Sequence, residues 1–249
     1  MSGDARDPGA PAPGSAEFDA YAARYDEALA AGLSVTGEDK DYYARGRMRW
    51  LTKRLRALGV PAPDTVLDFG CGLGASTPLF LDELRAKHVI GVDVSEGLLD
   101  RARDAFANEP RARFSTIAAH EAPGSADLAF VNGVFHHIPP ADRAEALRYV
   151  RRTLRPGGLF AFWENNPWNP GTRYIMSRVS FDENAITITP PEARALLRTA
   201  GFEIVATDFL FIFPRALRLF RPLEPLVSRL PLGGQYLVLC RAGASPAAR

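Results

Sequence analysis

The segment of this sequence with the clearest chemical meaning is a strand-like run that ends in a glycine-rich loop. It reads Val66-Leu67-Asp68-Phe69-Gly70-Cys71-Gly72-Leu73-Gly74. Glycine lets a backbone approach a ligand closely, and with Ala75 the loop also fits the G-x-G-x-x-A pattern of dinucleotide sites. Asp68 separates the possible ligands, because a carboxylate beside the loop repels a pyrophosphate and attracts a cation. The charge therefore favours a ligand that carries an ammonium group.

A second acidic residue, Asp93, follows Gly70 by 93 − 70 = 23 positions, at the end of the next predicted strand. A carboxylate at that place accepts hydrogen bonds from both hydroxyls of a ribose. S-adenosylmethionine has such a ribose and also the ammonium that suits Asp68. NAD has the ribose but no ammonium. Asp93 fits both cofactors, and Asp68 favours the first.

Candidate general bases follow two later strands. His136 and His137 come just after the predicted fourth strand, and Glu164 comes just after the fifth. Open parallel sheets bind ligands at the carboxyl ends of their strands, and histidine titrates near neutral pH. A packing role at the entry to a helix is the alternative for the two histidines. No cluster of histidine, cysteine or carboxylate residues has metal-ligand spacing, so we expect no metal.

The composition bounds the class of protein. The 249 residues are 47% hydrophobic and 24% charged, with a net charge of +1 and two cysteines. Balanced charge provides no field for nucleic acid, and two cysteines cannot build a disulfide framework. We see no signal-peptide pattern and no apolar run of about 18 residues. These observations exclude collagen-like structure and disorder of the whole chain, and they predict a cytoplasmic protein.

Predicted strands and helices alternate between two flexible tails, residues 1–16 and 243–249, which are rich in small residues. Alternation of this kind predicts one α/β domain, residues 17–242, with a mostly parallel sheet and helices on both faces. The last two strands are expected to form an antiparallel edge. Strands are predicted near 65–69, 89–92, 114–117, 128–131, 159–163, 202–211 and 236–240, and helices near 17–31, 39–58, 75–86, 95–108, 141–154 and 191–200.

Together these motifs resemble the class I S-adenosylmethionine-dependent methyltransferases, over roughly residues 18–241. The resemblance implies a single Rossmann-like domain with a seven-stranded sheet, into which a final hairpin inserts one antiparallel strand. It also implies an enzyme that uses S-adenosylmethionine. The matching segments are the glycine loop, Gly91-Val92-Asp93-Val94-Ser95, Ala126 to Val131 followed by Phe135-His136-His137-Ile138, and Leu154-Arg155-Pro156-Gly157-Gly158.

The resemblance also outlines a cofactor site. Many family members hold the adenine amine with an acidic residue after the third strand; here we expect backbone contacts from Ala119 and His120, or the side chain of Glu121, to replace it. Tyr25 and Arg47 of the first two helices are candidates for the methionine end, with packing as the alternative. The predicted cofactor residues are Tyr25, Arg47, Asp68, Gly70, Cys71, Gly72, Asp93, Val94, Ala119, His120 and Asn132.

Three segments are expected to shape the rest of the site. Residues 17–58 would form a helical lid. The insertion 166–189 is rich in aromatic and apolar residues, which would either line a pocket for a hydrophobic acceptor or pack onto the core. The excursion 212–234 places arginines among leucines with a net charge of +3. It is either a plain connection or a contact with an anionic membrane surface.

We therefore expect methyl transfer to oxygen or carbon of a small hydrophobic, lipid-linked or natural-product acceptor, in the cytoplasm or at the inner face of a membrane. The layout is similar to that of quinone-biosynthesis methyltransferases, whose acceptors carry isoprenoid tails. The exocyclic-amine methyltransferases share an Asn-Pro-Pro-aromatic motif, but this chain reads Val131-Asn132-Gly133-Val134, which argues against a nucleic-acid acceptor. The alternatives are an NAD(P)-dependent oxidoreductase and a non-catalytic partner protein that binds S-adenosylmethionine.

Overall fold

The computed structural model describes residues 36–179 and 185–243. The predicted helix at 17–31, with Tyr25 in it, and the tail 1–16 lie outside the described residues. The helices are α1 (Lys40–Ala57), α2 (Thr77–Asp82), α3 (Glu96–Ala105), α4 (Arg143–Thr153), α5 (Pro170–Met176), α6 (Pro190–Thr199) and α7 (Glu224–Val227), and a 3-10 helix covers Arg215–Leu223. The strands are β1 (Thr65–Phe69), β2 (His88–Asp93), β3 (Ala112–Thr116), β4 (Ala126–Asn132), β5 (Leu154–Asn165), β6 (Phe202–Leu210) and β7 (Gln235–Ala242).

These strands form one seven-stranded sheet in the order β3-β2-β1-β4-β5-β7-β6. Strands β1 to β5 are parallel, and β7 is antiparallel to both β5 and β6. The predicted Rossmann-like sheet with an inserted antiparallel strand is therefore confirmed. The strand order reverses between β1 and β4, so the carboxyl ends of these two strands border the crevice where open α/β sheets bind ligands.

Each face of the sheet is covered by an apolar layer. On one face, α1 and α2 contribute Met48, Leu51 and Phe80 to the core. On the other, α4 and α6 contribute Val150 and Leu197. Strands buried on both faces read as nearly continuous apolar runs, which is why β4 and β5 are easy to detect in the sequence.

A buried carboxylate binds helix α1 to the edge strand β6. Asp208 of β6 is fully buried and accepts hydrogen bonds from Trp50 Nε1 at 2.9 Å and from Arg54 Nε at 2.7 Å. At its start, α1 is capped by Asp39, whose Oδ1 accepts from the Tyr42 amide at 2.8 Å. The helix therefore has a fixed position over one sheet face.

Four regions differ from the predictions. The helix predicted at 75–86 is shorter, because the turns of the glycine loop continue to Ser76 and Arg85 adopts a φ of 58° after the helix. Helix α5 and the 3-10 helix lie in segments for which no helix was predicted. At the carboxyl terminus, Gly243 was predicted to open a tail, but its amide donates to Gly201 O at 3.3 Å.

Candidate cofactor site and catalytic edge

The glycine loop leaves open space beside one residue. Gly70, Gly72 and Gly74 have φ values of 72°, 52° and 74°. A Cβ on Gly70 would lie 2.4 Å from Val134 Cγ2, and one on Gly74 would lie 3.0 Å from two phenylalanine rings. No heavy atom lies within 4 Å of the Cβ position at Gly72. Gly70 and Gly74 are therefore required for packing, whereas Gly72 exposes backbone to a ligand.

Asp93 fixes this loop against β2. Its Oδ2 accepts a hydrogen bond from the Gly72 amide at 2.8 Å. Its Oδ1 accepts from the amides of Val94 at 2.8 Å and Ser95 at 3.0 Å. The buried carboxylate is thus held beside Gly72, and its contact with a ribose stays a prediction. Cys71 is buried in the same loop, and burial raises the pKa of its thiol well above the usual value.

Asp68 contributes a second buried carboxylate to the site. It lies in β1 one residue before the strand ends and is 4% exposed. Burial, reinforced by the nearby Asp93 carboxylate, raises the pKa of Asp68 to about 7, and Arg47 opposes the shift. No residue within 36–179 or 185–243 donates a hydrogen bond to it. A buried carboxylate is costly unless a partner compensates its charge, so the site suits a cationic ligand.

Asn132 adds a second unused acceptor on the same face of the sheet. Its Oδ1 is buried and has no hydrogen-bond partner among the described residues. The same holds for Nε1 of Trp163, which pairs with Asn132 in register on β5. The register also aligns Asp68 with Phe130, and side chains two residues apart share a face. Asp68 and Asn132 therefore present acceptors on one side of the sheet, at the crevice. This arrangement fits the ammonium of S-adenosylmethionine.

Helix α1 brings Arg47 to this edge. Arg47 is buried, and its Nη1 donates to Gln235 Oε1 at 3.0 Å, while Gln235 Nε2 donates to Asn165 Oδ1 at 3.2 Å. The guanidinium lies close enough to lower the pKa of Asp68 relative to burial alone. Arg47 is thus a buried cation close to Asp68, and its contact with the methionine end of the cofactor stays a prediction.

The residues predicted to contact adenine lie in the turn that follows β3. The amides of Ala119 and His120 both donate to Thr116 O at 3.1 Å, in a turn after β3. His120 Nδ1 lies 2.8 Å from the Tyr149 hydroxyl. Burial lowers the pKa of His120 and raises the pKa of Tyr149 to about 12, so both side chains are neutral at pH 7. The two amides are engaged within the turn, and Glu121 is exposed.

His136 and Glu164 form a buried pair at the ends of β4 and β5. His136 Nδ1 lies 2.6 Å from Glu164 Oε2, and the side chains are 3% and 1% exposed. Glu164 Oε1 accepts from the Phe135 amide at 2.8 Å. The half-buried His137 ring packs against His136, with 4.1 Å between ring centroids. Because Nδ1 faces Glu164, the other ring nitrogen of His136 points away from the carboxylate. The sequence predicts both residues but not their pairing.

Similarities to known proteins agree with this geometry. A family profile described as a methyltransferase domain matches residues 66–158. An uncharacterized methyltransferase from Synechocystis sp. is 30% identical over 183 residues, covering 70% of this chain and 79% of that protein. A trans-aconitate 2-methyltransferase from Rhodopseudomonas palustris is 32% identical over 139 residues, covering 55% of this chain and 52% of the relative.

A solved S-adenosylmethionine-dependent methyltransferase from Mesorhizobium loti superposes with a TM-score of 0.56 and 23% identity, covering 80% of this chain and 99% of that chain. The fold is the Rossmann-like fold of these methyltransferases. The chain belongs to the class I S-adenosylmethionine-dependent methyltransferases, whose cofactor is S-adenosylmethionine. It spans 52% and 66% of the length of two trans-aconitate 2-methyltransferases that it matches.

Proposed function

We propose that this protein transfers the methyl group of S-adenosylmethionine to oxygen or carbon of a small organic acceptor. The buried carboxylate of Asp68, which accepts no hydrogen bond from the described residues, carries the proposal, because a cationic ligand compensates its charge whereas a pyrophosphate would not. When bound, S-adenosylmethionine supplies a methyl group activated by its sulfonium. Asp68 and Asn132 would bind the ammonium, Arg47 the carboxylate, Asp93 the ribose hydroxyls, and Gly72 would admit the ligand to the backbone.

A hydroxyl or carbon acceptor also has to lose a proton, whereas a carboxylate acceptor does not. We assign this proton to His136, at the ring nitrogen that points away from Glu164. Glu164 is then a positioning residue, because its oxygens already accept from His136 and from the Phe135 amide. A carboxylate in this position holds the imidazole in one orientation and stabilises its protonated form. His137 is the second candidate for the same proton.

The insertion after β5 favours a hydrophobic acceptor. Met176 and Val179 are buried, whereas Trp168 and Tyr174 are 50% and 48% exposed. The segment therefore packs onto the core and also presents aromatic surface. Phe181, from the same predicted lining, lies outside the described residues. Aromatic and apolar side chains of this kind line sites for apolar small molecules. A lipid-linked or natural-product acceptor fits this surface.

A small organic anion is the second candidate acceptor. Several relatives are named for trans-aconitate. The insertion of this chain also carries two exposed cations, Arg173 and Arg178. Arg178 donates to the Tyr174 hydroxyl at 2.9 Å, which places a cation beside the aromatic surface.

Calorimetric titration of the full chain with S-adenosylhomocysteine, and separately with NAD, tests the cofactor site. We expect binding of the first alone, weakened by about 1 to 3 kcal/mol in Asp93→Ala, since charge-assisted hydrogen bonds are lost. Binding of NAD alone would refute the proposal.

The acceptor is then sought by measuring release of S-adenosylhomocysteine with trans-aconitate and with a panel of apolar phenols and quinols. Release with apolar acceptors supports the first candidate, and release with trans-aconitate supports the second. A protein that binds the cofactor but turns over no acceptor would instead be a binding partner.

A further inference from the structure

The excursion, residues 212–234, lies at the same edge of the sheet as the candidate site. Register pairs Asn165 at the carboxyl end of β5 with Gln235, and Gln235 with Leu210. The chain therefore leaves β6 and enters β7 beside the end of β5, one residue after Glu164. A partner that binds the excursion therefore lies next to the catalytic edge, by which we mean His136 and Glu164 at the carboxyl ends of β4 and β5.

The backbone of the excursion is held in place. Its carboxyl-terminal end is tied to the insertion by hydrogen bonds from two asparagine side chains, its amino-terminal end is bonded to its own middle, and its middle is tied to Glu38 before α1. The bonds are Ile212 N to Glu224 Oε1 at 2.6 Å, Asn166 Nδ2 to Gly233 O at 2.8 Å, Asn169 Nδ2 to Leu232 O at 2.7 Å and Arg221 Nη2 to Glu38 Oε1 at 2.8 Å. A segment anchored in this way presents a defined surface.

That surface is apolar. No residue of the 3-10 helix is buried, and Leu219 and Leu226 are 86% and 80% exposed. A concentration of exposed large apolar side chains in one segment marks a protein or membrane contact. The other members are Leu217, Phe220, Leu223, Leu230 and Leu232, each 45% to 54% exposed.

Three exposed arginines accompany these side chains. Arg215, Arg218 and Arg229 are exposed, and none of them forms an ion pair with a carboxylate of the described segments. Arg215 donates to Gly37 O at 3.1 Å, which leaves its charge uncompensated. Arginines beside protruding leucines match the interface of an anionic bilayer, where apolar groups enter the acyl boundary and cations meet phosphates.

We infer that the excursion docks on an anionic lipid bilayer and places the catalytic edge at the membrane surface. Charge favours this occupant over a second copy of the chain. A two-fold interface would set the same arginines of both copies against each other, which costs energy. Among the described residues no helix combines the length and apolar character needed to cross a membrane. The docking proposed here is to the surface only.

Flotation of the full chain with vesicles of phosphatidylcholine, with and without phosphatidylglycerol, tests this inference. We expect binding only when phosphatidylglycerol is present, and a decrease with added salt. Arg218→Gln with Arg229→Gln should weaken binding by about fivefold per arginine. Leu219→Glu with Leu226→Glu should abolish it. Both substituted leucines are largely exposed, so the variants are expected to fold, and thermal melting checks this.

Matched substitutions on α1 and at the residue after it serve as controls. Leu58 follows the helix and is 39% exposed, and Arg49 and Arg56 line a basic groove of about 440 Å³. Leu58→Glu and the pair Arg49→Gln with Arg56→Gln should bind vesicles like the natural chain. All variants should retain affinity for S-adenosylhomocysteine, which separates this test from that of the proposed function.

Three results would overturn the inference. The first is a full chain that ignores anionic vesicles. The second is loss of binding in the Arg49 and Arg56 variant but not in the Arg218 and Arg229 variant. The third is a dimer in sedimentation equilibrium that Leu219→Glu with Leu226→Glu disperses, because the surface would then be a contact between copies.

Discussion

At the scale of single residues, the buried carboxylate of Asp68 should lower the stability of the ligand-free protein and favour the binding of a cationic ligand. Its pKa is about 7 in the folded, ligand-free protein against an ordinary value of 3.8. Folding therefore disfavours the charged form, and the stability of the ligand-free protein should fall as pH rises from about 4 to about 7. The shift corresponds to about 4 kcal/mol at full ionisation. A cationic ligand should recover much of this energy.

The variant Asp68→Asn tests this exchange. We expect it to raise the melting temperature of the ligand-free protein at about pH 8, because no charge is buried there. It should bind S-adenosylhomocysteine more weakly than the natural chain. Affinity of the natural chain should rise from about pH 6 to about pH 8 as Asp68 ionises, and the variant should lose this dependence. Calorimetry at both pH values would contradict the assignment if the two proteins behaved alike.

Substitutions should distinguish the proposed base, His136, from the proposed positioning residue, Glu164. With an acceptor in hand, His136→Gln should lower kcat by about 100-fold or more, since a positioned base contributes roughly that much. Glu164→Gln should lower kcat less and change the pH profile, because the base remains but its orientation and charge environment change. Affinity for S-adenosylhomocysteine should stay the same in both. Full activity of His136→Gln would reduce the residue to a packing role.

At the scale of elements, a glycine inside the loop and one outside it allow the effect of backbone strain to be distinguished from that of ligand access. Gly72 and Gly59 have φ values of 52° and 64°, and neither has a heavy atom within 4 Å of its Cβ position. Alanine at either position should therefore destabilise folding by a similar amount, about 1 to 2 kcal/mol. Only Gly72→Ala should lose affinity for S-adenosylhomocysteine, because only Gly72 borders the proposed site. Equal affinities in calorimetry would place the cofactor elsewhere.

Elements with strong local signals are predictable from the sequence. The pattern places α1 at 39–58, and the helix covers Lys40–Ala57 because Asp39 caps it and Gly59 follows it. Nothing predicts α5, whose seven residues begin with Pro170 and Gly171 inside an irregular insertion. Helices of that length depend on tertiary packing rather than on intrinsic propensity.

The candidate site likewise contains residues that local motifs predict and contacts that depend on the tertiary structure. Asp68 and Asp93 are predictable because their motifs are local. The pairing of His136 with Glu164 is not, since the residues are 28 positions apart and meet only through the register of β4 and β5. The unpartnered Oδ1 of Asn132 likewise depends on its neighbours in three dimensions.

At the scale of the whole molecule, α1 links the far edge of the sheet to the cofactor site. Its attachment to β6 runs through Asp208, while Arg47 reaches Gln235 at the start of β7. The position of Arg47 therefore depends on a carboxylate two helical turns away. Weakening that attachment should reduce both stability and cofactor affinity.

The variant Asp208→Ala tests this link. It leaves Arg54 and Trp50 without their acceptor, so we expect the free energy of unfolding to fall by about 3 kcal/mol. Asp64→Ala is the control, because its bridge to Lys87 is exposed and such pairs contribute about 0 to 1 kcal/mol. Urea titrations of both variants give the comparison. A similar loss in the two would show that α1 is held by apolar packing instead.

The three tryptophans lie at different depths, which gives the protein an optical reporter. Trp163 and Trp50 are 0% and 7% exposed, whereas Trp168 in the insertion is 50% exposed. A charged quencher such as iodide should therefore darken mainly Trp168. An acceptor that binds against the insertion should reduce the quenching of Trp168 fluorescence and leave the fluorescence of the other two tryptophans unchanged. Acceptor screening can then follow protection from quenching, with no need to detect a methylated product.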